Sequence, residues 1–258
     1  MKISQLFVAC LILTFSAFSQ EKVNKTAPNG MKEGKWESRY PDGTLRYEGY
    51  FVHNKPAGDW KRYHENGKVK ALMNYRPNSE AVFASLFDDE GKLYAKGLFE
   101  GTLRDSTWNF YSGDQLVQTE NYSHGKKEGK ATGYNAEGKL IWEKYWKNDL
   151  LDGRSLEYYP DGTKRSEITC QMGKRSGPAI FYRENGLKSM EGNFLDDSSD
   201  GVWKIFDTDG KLKYQIKYNK GEILDGGKLD TLQLNEFKQY DRMKGKIPEP
   251  KMNESGRP

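Results

Sequence analysis

Residues 58–69 read Gly58-Asp59-Trp60-Lys61-Arg62-Tyr63-His64-Glu65-Asn66-Gly67-Lys68-Val69, and the chain returns to this pattern again and again. Aligned on its first three positions are Gly34-Lys35-Trp36, Val82-Phe83-Ala84, Ser106-Thr107-Trp108, Gly129-Lys130-Ala131, Gly153-Arg154-Ser155, Gly177-Pro178-Ala179 and Gly201-Val202-Trp203. The starts fall 24 residues apart, except for one step of 23 between 106 and 129, where a residue is missing near Gly113-Asp114. A fixed short period of this kind marks a repeat architecture of eight units.

Each unit carries an aromatic ahead of a turn glycine: Tyr63, Phe87, Tyr111, Tyr134, Tyr158, Tyr182 and Phe206, with Tyr40 one place late in the first unit. Pro41-Asp42-Gly43, Glu65-Asn66-Gly67, Pro160-Asp161-Gly162 and their counterparts are tight-turn chemistry, because Asp-Gly and Asn-Gly accept the positive φ of hairpin turns. Eight residues past the turn glycine stand Phe51, Tyr75, Phe99, Tyr122, Trp146, Cys170, Phe194 and Tyr218. Between turn and aromatic, apolar or small residues take every second place, as in Leu45, Tyr47, Gly49 and Phe51, which predicts a strand with one dry and one wet face. Gln118 and Glu120, and Lys164 and Ser166, interrupt the dry pattern. The expected fold is all-β: an elongated antiparallel meander of eight hairpins, with nearest-neighbour ring packing in place of a thick interior. The near-turn aromatics differ in strand parity from Trp36, Trp60, Trp108 and Trp203, so both rows share a face only if a bulge intervenes; otherwise one lies on the surface.

Composition agrees. The 258 residues are 35% hydrophobic but 13% aromatic, too poor in aliphatics for a two-layer α/β enzyme and too rich in rings for a disordered chain. With 41 basic against 37 acidic residues, interspersed throughout, no nucleic-acid stripe is implied.

The ends differ from the repeats. Lys2 and the apolar run Leu6 to Phe18, closed by Ala17-Phe18-Ser19, predict a signal peptide over 1–19 and export to the periplasm or the exterior. Lipoprotein processing at Cys10 is disfavoured, because it would leave Leu11 to Phe18 on the mature chain. Residues 20–33 form a polar linker, 34–224 the repeat domain, and 225–258 a C-terminal cap with a short amphipathic helix and a loose tail.

The unit quoted at the outset resembles the MORN-repeat variant family, with a pattern of about Gly-x-Trp-x-x-Tyr-x-x-x-Gly-x-Leu running from Gly34 to about Leu224. Ala84, Ala131, Ser155 and Ala179 replace its tryptophan. The resemblance implies a β-hairpin solenoid with a binding role and no catalytic residues. Bacterial proteins of this type resemble the antitoxin component of YwqK-type toxin–antitoxin modules, a cytoplasmic role at odds with an export signal. Eukaryotic MORN repeats are associated with membrane lipids and scaffolding.

Candidate chemistry is sparse. His53, His64 and His124 lack partners at ligand spacing, and Cys170 fills an aromatic slot, which reads as a small buried hydrophobe. Asp196-Asp197-Ser198-Ser199-Asp200 lacks the spacing of a calcium loop. No catalytic, metal or cofactor site is therefore expected, and no cofactor. Trp36, Trp60, Tyr63, Trp108, Tyr111, Tyr134, Tyr158, Tyr182 and Trp203 are the candidate partner-binding aromatics, because Tyr and Trp dominate binding hot spots. The expected partner is another envelope or secreted protein, with anionic membrane lipid at the basic loops as the alternative.

Overall fold

A computed structural model describes residues 22–224. The expected signal peptide and C-terminal helix lie outside these residues. Within them every element is a strand. The strands form one sheet of nineteen, β1 to β19 in chain order, and three of them hold only two residues: β1 (Lys25–Thr26), β10 (Lys126–Lys127) and β19 (Glu222–Ile223). The other sixteen make the eight hairpins. The first four are β2 (Lys32–Arg39) with β3 (Leu45–Val52), β4 (Lys55–Tyr63) with β5 (Val69–Tyr75), β6 (Ala81–Phe87) with β7 (Leu93–Glu100), and β8 (Leu103–Ser112) with β9 (Gln115–Ser123). The last four are β11 (Gly129–Tyr134) with β12 (Leu140–Lys147), β13 (Leu150–Tyr158) with β14 (Lys164–Gln171), β15 (Lys174–Tyr182) with β16 (Lys188–Leu195), and β17 (Ser198–Phe206) with β18 (Leu212–Asn219). Neighbours pair antiparallel throughout.

Two departures from the even ladder repeat along the chain, and each has a cause in the sequence. Where one unit meets the next, the pairing slips: Glu48 opposes Lys61 but Tyr50 opposes Ala57, so the strand entering the new unit carries two extra residues. Gly58, inside that bulge, has φ +66°, a conformation glycine adopts without strain. Ser106 holds the equivalent place at φ 58°. The junction between β5 and β6 is regular, with Met73 opposite Ala84 and Tyr75 opposite Val82, and here the unit begins with valine instead of glycine.

The second departure follows the turn inside each unit. Arg62 opposes Ala71 while Tyr63 opposes Val69, which leaves one extra residue on the returning strand. The flip puts Leu45 and its counterparts on the face away from the tryptophans, contrary to the unbroken alternation expected of this strand. Lys164 and Lys188 show the consequence, since they reach Glu167 and Glu191 at 2.7 Å on that opposite face. The missing residue of unit four is explained as well: Gly113-Asp114 forms a two-residue turn between Ser112 and Gln115, with Gly113 at φ 60°.

The dry face holds the core. Trp60, Trp108 and Trp203 are buried, as are Tyr122, Cys170, Phe194 and Tyr218 of the row eight past the turn glycine. With no second layer, rings cover one another edge to face: Trp108 lies 4.8 Å from Phe99, and Trp203 lies 5.0 Å from Phe194. Each tryptophan also lies flat on a glycine of the preceding unit. A Cβ on Gly49 would stand 2.2 Å from Trp60, one on Gly97 2.2 Å from Trp108, and one on Gly192 2.3 Å from Trp203. The indole N–H then donates to the carbonyl of the next residue: Trp60 to Tyr50 at 3.0 Å, Trp108 to Leu98 at 2.9 Å and Trp203 to Asn193 at 3.0 Å.

The units that lack tryptophan are compensated instead of degraded. Ala84 opposes Met73, Ser155 opposes Lys144 and Ala179 opposes Ile168, so bulk moves across the pair while the filled volume is kept. At Ala131 the preceding unit supplies Glu120, which is 1% exposed. Gln118 donates to Glu120 at 2.7 Å, the Lys127 ammonium stands at 2.5 Å, and the Tyr122 hydroxyl closes the set. These partners offset the desolvation of a carboxylate in an otherwise apolar row.

Part of the polar lead-in is paired. β1 pairs with β2, and Asn24 bonds both the Lys35 carbonyl and the Glu37 N–H, so the lead-in covers part of the sheet's first edge.

Candidate partner-docking groove

On the wet face, a groove of about 780 Å³ crosses β4 to β8. It centres on β5 and β6, the one junction between long strands without a bulge. Bulges add local twist, so their absence leaves a flatter stretch of sheet. Unit three supplies Phe83 to the groove, and the strands on either side supply Leu72 and Leu98. Phe83 is 48% and Leu72 38% exposed, two apolar side chains laid open within the groove.

Register sets which residues share the groove. Phe83 stands opposite Asn74 and Leu98, and Leu72 opposite Lys61 and Ser85, with Lys96 and Asn109 continuing the row. Asn74 donates to Asp59 at 2.7 Å, which occupies the groove's carboxylate. The Arg76 guanidinium lies 4.7 Å from the centre of the Phe83 ring, and Lys96 lies 5.8 Å from that of Tyr111.

Residues 32–53, 57–76, 151–169 and 199–220 match the model of the MORN repeat variant family. These four segments are similar to MORN repeat variants. No curated protein matches the chain at a significant level. MORN repeats fit a protein-binding or membrane-binding module. The stretch from 77 to 150 falls between matched segments, and Phe83, Lys96 and Leu98 lie in it.

The hairpin framework divides the candidate aromatics into two groups. Trp60, Trp108 and Trp203 are interior, at 6%, 0% and 0% exposure, so their rings face neighbouring strands and are withdrawn from any partner surface. Trp36 is half-buried between Phe51 and the Lys32 ammonium. Tyr63, Tyr111, Tyr134, Tyr158 and Tyr182 are half-buried on the wet face, since the bulge falls on the returning strand and leaves their own parity unchanged. Of these, Tyr63 and Tyr111 stand on strands that line the groove. The Tyr63 hydroxyl donates to Glu48 at 2.6 Å. Burial first, and then that hydrogen bond, push the Tyr63 phenol up to about 12, and the same bond holds the Glu48 carboxyl below its usual range.

The remaining sequence candidates serve the array. His64 reaches the Phe87 carbonyl of the next unit at 3.0 Å, as Tyr40 reaches Tyr63 and Tyr159 reaches Tyr182. His53 and His124 occupy positive-φ turn positions. Burial pushes the Cys170 thiol up, away from nucleophilic thiolate. Asp197 accepts from the Arg175 backbone and guanidinium, and Asp200 accepts from the Lys220 N–H, so these carboxylates staple turns between units. Among the described residues no cluster of three metal-ligating side chains occurs.

Phe83, Leu72 and Leu98 were not singled out in the sequence. The signal for Phe83 was present in the departure of unit three from Gly-x-Trp.

Proposed function

We propose that this is an exported, non-enzymatic repeat protein that docks another protein of the cell envelope, with the groove across β4 to β8 as the seat. The observation that carries the reading is the exposed Phe83 and Leu72 pair inside a groove of the wet face. Aromatic anchors seated among polar groups are the usual source of interface affinity. Export rests on the apolar run Leu6 to Phe18 and the small residues Ala17 and Ser19. An antitoxin-type role would be one case of such docking, with a toxin met outside the cytoplasm.

Immobilised residues 20–258 should retain a discrete protein from the envelope fraction through a high-salt wash, and Phe83→Ser should lose it. Retention of no protein by the intact chain would overturn the reading.

A second reading draws on the edge formed by the turns between units. Met172 is 75%, Leu103 48% and Leu150 47% exposed there, beside Lys126, Lys174 and Lys220. Such an edge suits an anionic membrane surface. Sedimentation with phosphatidylglycerol vesicles that vanishes at high salt, with no retained protein, would favour it.

A further inference from the structure

Four units carry an ion-paired carboxylate at one recurring place on the wet face, and the groove units carry none there. These are Glu48, Glu143, Glu167 and Glu191, each with at least one cation partner. Lys35 lies 3.6 Å from Glu48, and Lys130 pairs with Glu143. Arg154 and Lys164 stand 2.8 and 2.7 Å from Glu167, and Lys188 and Lys204 stand 2.7 and 3.1 Å from Glu191. In units two and three the same place holds Leu72 and Lys96. Leu72 removes the carboxylate in unit two, and Lys96 replaces it with a cation in unit three. Lys61, Lys96 and Arg76 form no ion pair within 4 Å among the described residues; Lys61 stands across from Glu48, which also pairs with Lys35 and accepts from Tyr63, and Asp59 is the one carboxylate lining the groove.

We propose that the groove takes an extended acidic segment of a partner protein, carrying an apolar side chain into the Leu72, Phe83 and Leu98 seat and carboxylates onto Lys61, Lys96 and Arg76. This rests on the docking reading and names its partner chemistry. Five strands at about 4.8 Å spacing give a path of about 19 Å, the reach of roughly six extended residues. Ser85 and Asn109 offer polar groups along that path. The unmatched cations supply preference and encounter rate, and the apolar seat supplies hold.

Fluorescence anisotropy with labelled six-residue peptides tests this on residues 20–258. One peptide alternates Glu with Leu and Phe, and two controls replace Glu with Gln or Lys. The Glu peptide should bind about tenfold tighter than the Gln peptide and more tightly still than the Lys peptide. The double variant Lys61→Glu/Lys96→Glu should invert that order, and Phe83→Ser should weaken all three, with unchanged circular dichroism and melting confirming that the variants fold. Equal binding of Glu and Gln peptides, or an order unmoved by the charge reversal, would overturn the proposal. So would binding confined to phosphatidylglycerol vesicles or to oligogalacturonate. An envelope protein retained regardless of Phe83→Ser would sink this inference and the groove as the seat, while leaving protein docking standing. Acidic-peptide binding that inverts as expected, without any envelope partner, would do the reverse.

Discussion

Units two to four and units five to seven share one backbone plan and present opposite surfaces. In the later group, Glu143, Glu167 and Glu191 are each paired with lysine or arginine, so that face carries a row of ion pairs. In the earlier group Leu72, Lys96 and Thr119 take those places, Phe83 is exposed, and a groove opens. Both faces are carried by buried tryptophans or their compensating partners on the other side. The repeat therefore separates two duties by strand parity: one set of alternating positions holds the array together, and the other is free to vary from unit to unit.

The tryptophans test that separation most severely. Trp108→Ala and Trp203→Ala should each cost about 3–5 kcal/mol in urea unfolding, by loss of a fully buried ring. If duties are split by face and locality, Trp203→Ala leaves groove binding intact, whereas Trp108→Ala impairs it. Equal impairment by both would break the comparison.

The cross-unit pairs come next. Gly49→Met should destabilise by about 1–3 kcal/mol or more, because its side chain enters the space of the Trp60 ring. Adding Trp60→Ala should recover part of that loss, since the Met and Ala combination already exists at Met73 and Ala84. A double-mutant cycle without favourable coupling would show that bulk is not exchanged across the pair.

Ser106→Gly offers a smaller gain. Relief of a positive φ should raise stability by roughly 1 kcal/mol, seen as slower hydrogen exchange in β8 and β9.

The least effect is expected from alkali. With the Tyr63 value raised from 10.0 to about 12, its contribution is intact below pH 10 and is lost as pH rises through about 12. Absorbance titration should show late-titrating phenols, Tyr63, Tyr75 and Tyr122 among them, and Tyr63→Phe should remove one of them.

Much of this fold was legible in the chain, because its strongest signals are local. Turn glycines report backbone conformation directly, and the absent residue beside Gly113-Asp114 announced a shorter turn. The parity clash between the two aromatic rows left a shared face with a bulge or opposite faces, and the second holds. Less visible was the pairing of Gly49 with Trp60, since two residues eleven apart come into contact only once the interstrand register is known. For that reason Ala84, Ala131, Ser155 and Ala179 read as losses from a pattern, although the bulk had moved to Met73, Glu120, Lys144 and Ile168. The groove was hidden for a related cause: exposure of Phe83 depends on the missing bulge between β5 and β6, a property of two strands jointly.

That seating of each indole on its upstream neighbour has a bearing on how the array can lengthen or shorten. Excising residues 60–107 would seat Trp108 on Gly49 and join the chain cleanly, whereas excising 84–107 would drive the same ring into Met73. Units are thus interchangeable only across junctions of the same kind, and the permitted copy number of the array is written at its seams.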